Sequence, residues 1–127
     1  RVQQVSGVEG SQDMVERARQ NASDNDLHNT SFHLADLSQP PRNLPWLRQH
    51  FDAVLLDPPR SGAAACLDMI AASAAKQVLY VSCQPASLAR DLGTLVHAHG
   101  FKLERIGIMD MFPHTAHVET MALLRRA

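Results

Sequence analysis

Apolar and polar positions along this chain switch between two periods. Short apolar runs suit strands, and they alternate with stretches whose apolar residues recur every three or four positions, as on an amphipathic helix. Val2 to Val8, Thr30 to Leu34, Phe51 to Leu56 and Val78 to Val81 are predicted strands. Ser11 to about Ala22, Ala63 to Ala75, and the segment from Pro85 to near Gly100 are predicted helices. In the first helix Ser11 can act as the cap, and Met14, Val15, Ala18 and Ala22 form the buried stripe. Pro85 suits a first helical turn, and Gly100 a helix stop. Gln39 to Pro45 reads as loop. Phe101 to Met109 and His117 to Leu124 follow as two strands with no helix between them, so they pair antiparallel. The alternation predicts an α/β fold: a Rossmann-like, mostly parallel sheet closed by a C-terminal antiparallel hairpin.

Composition narrows this. At 127 residues one domain is expected, and a hydrophobic fraction of 45% supports a real core. No apolar run approaches the ~20 residues of a membrane span. The two cysteines, Cys66 and Cys83, make no disulfide framework, which fits a reducing cytoplasm. With 12 basic and 13 acidic residues, the net charge of −1 gives no electrostatic footprint for nucleic acid. An RNA partner would therefore have to be held largely by other parts of a longer protein. The chain opens on Arg1 without a methionine or signal sequence, so a fragment is expected.

The chemistry gathers where predicted strands end. Glu9, Asp36, Asp57 and Cys83 each lie at or just after such an end, the edge on which open α/β sheets bind ligands. Glu9 suits the acid that holds the ribose hydroxyls of a nucleotide-like cofactor. No G-x-G-x-x-G occurs, and no strand precedes Val2 to carry one, so a first strand and its glycine loop are expected upstream. Ser82-Cys83-Gln84-Pro85 sets a thiol between a strand and a helix N-terminus, where free N–H groups and the helix dipole favour a thiolate. By position alone that thiol reads equally as a nucleophile or as a small core residue. In Asp57-Pro58-Pro59-Arg60 two prolines stiffen the turn. Arg60 stands where amine methyltransferases keep a base-stacking aromatic, which argues against that chemistry. Glu119 falls near the start of a largely apolar strand, where desolvation would suit a general base, although spacing alone favours a surface carboxylate. His97, His99, His114 and His117 lie on different elements without a Cys-x-x-Cys partner, so no metal site is expected.

Together, Gly7-Val8-Glu9-Gly10, Leu56-Asp57-Pro58-Pro59-Arg60-Ser61-Gly62, Tyr80-Val81-Ser82-Cys83-Gln84-Pro85 and Met111-Phe112-Pro113-His114-Thr115-Ala116-His117-Val118-Glu119 resemble the class I, S-adenosylmethionine-dependent RNA uracil-5-methyltransferases. The wording is nearest to the branch acting on 23S ribosomal RNA, with a tRNA-directed relative as the rival. The resemblance implies that residues 1–127 are the C-terminal portion of a catalytic domain. It implies that Cys83 attacks C6 of a uracil and that Glu119 removes the C5 proton. It also implies that Glu9 holds the cofactor ribose, Asp36 lies near the adenine and Asp57 faces the reactive methyl. An RNA-binding barrel and, in the 23S-directed members, an iron–sulfur cluster would belong to upstream residues. Gln84 departs from the family's usual asparagine. Without the glycine loop, the fragment alone is expected to bind the cofactor weakly and to be inactive. Open sheet edges would favour its self-association. Two further classes remain: a non-catalytic RNA-binding module on the same fold, and a cysteine hydrolase pairing Cys83 with His114 or His117.

Overall fold

The computed structural model describes residues 2–40, 43 and 45–127. Within the expected 39–45 loop, Pro41, Arg42 and Leu44 lie outside the described residues. The chain forms two compact units, Arg1–Pro41 and Arg42–Ala127.

The first unit is a β–α–β arrangement. Strand β1 (Val5–Glu9) is shorter at its start than predicted. Helix α1 (Gln12–Asp24) follows, then β2 (Thr30–Leu34), whose bounds match the sequence reading. The strands pair in parallel, Val5 opposite Thr30 and Glu9 opposite Leu34. Helix α1 buries Val15 and Ala22, whereas Met14 is half exposed and leaves the predicted stripe. Ser11 is the cap residue, but its hydroxyl makes no capping bond. Its backbone N–H donates to Glu9 Oε1 at 3.0 Å instead.

The second unit holds β3 (Ala53–Leu56), a short α2 (Leu67–Ala72), β4 (Gln77–Ser82), α3 (Pro85–His97), β5 (Lys102–Met109) and β6 (Glu119–Arg125). The predicted helix over 63–75 is split. A 3-10 turn over Ala64–Cys66 precedes α2, and Ala74 takes φ +61. The sheet order is β3-β4-β6-β5. β3 and β4 are parallel, and β6 inserts antiparallel between β4 and β5. Among the described residues no helix is long and apolar enough to cross a membrane.

Alternation sets which face is dry. Along β4 the buried residues are Val78, Tyr80 and Ser82, and along β6 they are Thr120, Ala122 and Leu124. The register pairs these three for three, so one sheet face packs against Leu67, Ile70, Leu88 and Leu95 of the helices. Phe101, 1% exposed, closes the far end of this core, with the Arg126 guanidinium 4.7 Å from its ring centroid. Arg126 also donates to the carbonyls of Ala71 and Ala75, both at 3.1 Å. Arg126, stacked on Phe101, therefore ties the chain just past β6 to the end of α2 and the residues that follow it. Phe101→Ala is expected to cost about 3–5 kcal/mol by cavity formation and lost packing. Urea unfolding measures it, and a loss below about 1 kcal/mol would remove Phe101 from the core. Strand β5 is a true edge, with Ile106 and Ile108 exposed despite their apolar character.

Candidate active site

Each unit presents its candidates at the carboxyl ends of its strands. In the first, Glu9 is the last residue of β1, and Asp36 follows β2 by two residues. The Ala35 N–H donates to the Glu9 carbonyl at 3.0 Å, extending the ladder to this edge. One Glu9 carboxylate oxygen is engaged by Ser11, which fixes the side chain at the edge while it stays exposed. Asp36 closes a small turn, with its Oδ1 accepting from the Ser38 hydroxyl at 2.7 Å and the Ser38 N–H at 2.9 Å. These two bonds, the hydroxyl's first, hold the Asp36 carboxyl below the ordinary range. Two exposed, positioned carboxylates on one edge offer anionic acceptors, which fit the hydroxyls and amines of a nucleoside.

In the second unit Asp57 directly follows β3 and is exposed. Cys83 directly follows β4 and is half-buried. Its turn is tightly specified. The Ser82 hydroxyl accepts the Gln84 N–H at 3.0 Å, and the Ser82 and Ser87 hydroxyls both donate to the Gln84 carbonyl at 3.1 Å. Gln84 is the cap residue of α3, its amide exposed and not bonded to the helix end. Pro85 opens the helix, as the sequence suggested. Cys83 thus stands on a hydrogen-bonded corner immediately before a 13-residue helix.

The antiparallel pairing brings the second catalytic candidate to the same place. Ser82 is opposite Thr120, so Cys83 and Glu119 each adjoin that pair at the same end of the β4–β6 ladder. Glu119 is half-buried, opens β6 and pairs with Met109 of β5. His114 and His117 lie in the preceding loop, where His114 takes φ +63. An open, largely apolar groove of about 510 Å³ runs alongside, lined in part by Pro85, Leu88, Ile108, Val118 and Thr120.

Sequence reasoning missed a third feature. Asp91 is fully buried, and its Oδ2 accepts from the Tyr80 hydroxyl and from the Ala63 N–H, both at 2.6 Å. Arg90 Nε donates to Asp91 Oδ1 at 2.9 Å, and the same guanidinium donates to the Ser61 carbonyl at 2.7 Å. A signal was present: Asp91 falls on the Leu88-Leu92-Leu95 stripe of α3, where an apolar residue belongs. Burial first, and then Asp91, pushes the Tyr80 phenol far up, and burial likewise raises the Cys66 thiol. Unfolded, the two ionise at ~8.5 (thiol) and ~10 (phenol). Groups held neutral in the fold contribute stability that is full below those values and lost as pH rises through them. The urea midpoint is therefore expected to be lower at pH 10 than at pH 7, with Tyr80→Phe flattening part of the fall. An identical slope in Tyr80→Phe would remove the phenol from that effect.

Comparison with known proteins places the chain in a family. Residues 42–127 match the sequence profile of the tRNA (Uracil-5-)-methyltransferase family. The 23S rRNA (uracil(1939)-C(5))-methyltransferases RlmD of Alkalilimnicola ehrlichii and Xanthomonas euvesicatoria are 55% and 54% identical to the chain over 99% and 98% of its length. The chain spans 28% of the length of each. Among solved structures, Pyrococcus abyssi tRNA (uracil-54, C5)-methyltransferase in complex with S-adenosyl-L-homocysteine superposes with a TM-score of 0.78. It is 31% identical, over 95% of this chain and 28% of that one. NSun6 from Pyrococcus horikoshii, 16% identical with a TM-score of 0.74, shares the fold over 97% of this chain and 41% of its own. The chain belongs to the tRNA (uracil-5-)-methyltransferase family.

Proposed function

We propose that residues 1–127 are the C-terminal portion of the catalytic domain of an enzyme that methylates C5 of a uridine in 23S ribosomal RNA, in the cytoplasm. The observation that supports this reading is that Cys83 and Glu119 each adjoin the Ser82–Thr120 pair at one end of the β4–β6 ladder. Methylating a uracil carbon needs a nucleophile and a base on one ring, and this pair supplies both. The relatives at 54–55% identity, named for 23S rRNA, favour that RNA over tRNA.

Cys83 adds to C6 of the target uracil, and the ring becomes an enolate whose C5 is nucleophilic. S-adenosylmethionine, when bound, supplies the electrophilic methyl group. Glu119 then takes the C5 proton, the electron pair of that bond restores the C5–C6 double bond, and the Cys83 sulfur leaves. Glu9 is assigned to the cofactor ribose, Asp36 to the adenine side and Asp57 to the reactive end. The exposure of all three carboxylates is consistent with these roles.

Methyl transfer from labelled S-adenosylmethionine by the full-length enzyme, offered 23S rRNA and tRNA transcripts separately, tests the substrate. Labelling of the 23S transcript at C5 of uridine is expected. Labelling of tRNA alone overturns the choice of RNA, and labelling of neither overturns the reading. The 127 residues contain no G-x-G-x-x-G, so alone they are expected to bind the cofactor weakly and to transfer no methyl group. Stoichiometric, micromolar binding in calorimetry would contradict that. Self-association through the open edges of β3 or β5 is part of the same reading, and only monomer in sedimentation at high concentration counts against it.

A further inference from the structure

We propose that Asp91 is a positioning residue that fixes the Asp57–Gly62 turn against the Cys83 corner. This inference rests on the reading above. The turn after β3 has few ties of its own, and among its residues Asp57, Pro59, Arg60 and Ser61 are exposed. Three hydrogen bonds reach it or its immediate continuation from the elements that carry Cys83. From α3, Asp91 Oδ2 accepts the Ala63 N–H at 2.6 Å, and the Arg90 guanidinium donates to the Ser61 carbonyl at 2.7 Å. From β4, the Tyr80 hydroxyl accepts the same Ala63 N–H at 3.1 Å while donating to Asp91 at 2.6 Å. Tyr80 lies three residues before Cys83, and Asp91 lies two turns into the helix that Cys83 precedes. One buried carboxylate therefore joins the nucleophile's support to the segment that carries Asp57.

The turn is shaped to accept this clamp. Gly62 takes φ +83, and a Cβ there would come within 2.5 Å of Asp91 Oδ2 and 2.6 Å of the Arg90 guanidinium. Only glycine allows the carboxylate and the guanidinium to approach so closely. A buried carboxylate is otherwise costly, and an apolar residue on the α3 stripe would fill the core without that cost. What the carboxylate adds is directional: two acceptor oxygens aimed at a backbone N–H, a phenol and a guanidinium. The consequence is asymmetric. Without the clamp, Cys83 keeps its serine-braced corner after the Ser82–Thr120 pair, while Asp57 loses its fixed place.

The test separates those two halves in the full-length enzyme. Cofactor KM and kcat/KM for methyl transfer report on Asp57. Release of tritium from C5-tritiated uridine in RNA, without S-adenosylmethionine, reports on Cys83 and Glu119 alone. In that assay thiol addition, protonation at C5 and removal of the original hydrogen exchange the label with water. For Asp91→Ala the cofactor KM is expected to rise and kcat/KM to fall on the order of 10²-fold, the scale of a ~1 Å misplacement. Tritium release should stay within about threefold of wild type. Arg90→Gln, at a half-exposed side chain, should shift in the same sense by a smaller factor and serves if Asp91→Ala does not fold. Equal loss in both assays, or no change in either, overturns the proposal. A wild-type enzyme that neither methylates uridine nor releases tritium overturns the reading beneath it.

Discussion

With RNA carrying 5-fluorouridine and S-adenosylmethionine, the full-length enzyme is expected to stall as a covalent adduct at Cys83, and Cys83→Ala to form none. The reason lies in the second half of the reaction. Once C6 carries the sulfur and C5 the methyl group, the ring is released only when a group on C5 departs without its electrons. A proton departs this way to Glu119; fluorine does not. Protein, RNA and methyl group therefore remain joined, and mass spectrometry of the digested adduct locates the sulfur. Turnover on ordinary RNA should fall in Cys83→Ala by on the order of 10⁴-fold or more, because binding and orientation survive while the covalent route is lost. The turn around Cys83 depends on the Ser82 and Ser87 hydroxyls and the Gln84 backbone, not on the thiol, so the variant should fold. An adduct on Cys66 instead would contradict the assignment; that thiol is buried and donates to the Ala63 carbonyl at 3.2 Å. No adduct in a protein shown to bind cofactor and RNA would return the non-catalytic binding module to the front.

What the sequence disclosed followed from which signals are local. Strand ends and helix starts are local events, and Glu9, Asp57 and Cys83 all stand where the apolar runs placed them. Pro85 marked the start of α3 because proline at a first turn costs no hydrogen bond. The antiparallel pairing of β5 with β6 followed from the missing helix between them. The insertion of β6 between β4 and β5 was not legible, because hydrophobic period does not encode strand order. Cys83 and Glu119 are 36 positions apart, and only that insertion brings them to the same end of β4 and β6. The break in the 63–75 helix was also missed: its run of alanines satisfies a helical pattern without specifying where the turn tightens. Met14 was misplaced because the apolar stripe of a short helix fixes its direction only to within a residue or so. Asp91 was the informative exception. Its break in the α3 stripe marked a local choice that serves a partner 28 residues away, the Ala63 N–H.

Glu119→Gln should separate methyl transfer from release. The substituted amide keeps the size and the strand position of the carboxylate but cannot take a proton. Addition of Cys83 to C6 and methylation at C5 need no base on that face, so the variant should transfer about one equivalent of methyl group per enzyme and then stop. Steady-state turnover should fall by about 10²–10⁴-fold, the usual contribution of a positioned general base. The distinguishing result is an adduct with ordinary uridine RNA, which wild type releases. Labelled methyl should therefore co-migrate with protein on a denaturing gel for Glu119→Gln, and with free RNA for wild type. A surface glutamate predicts neither effect, and a glutamate that only braces the sheet predicts lower stability with normal release. The position favours the base: Glu119 opens β6, is half-buried, and adjoins the Thr120–Ser82 pair that precedes Cys83. Wild-type turnover in Glu119→Gln, or a loss of turnover without any accumulated adduct, would remove Glu119 from the proton transfer.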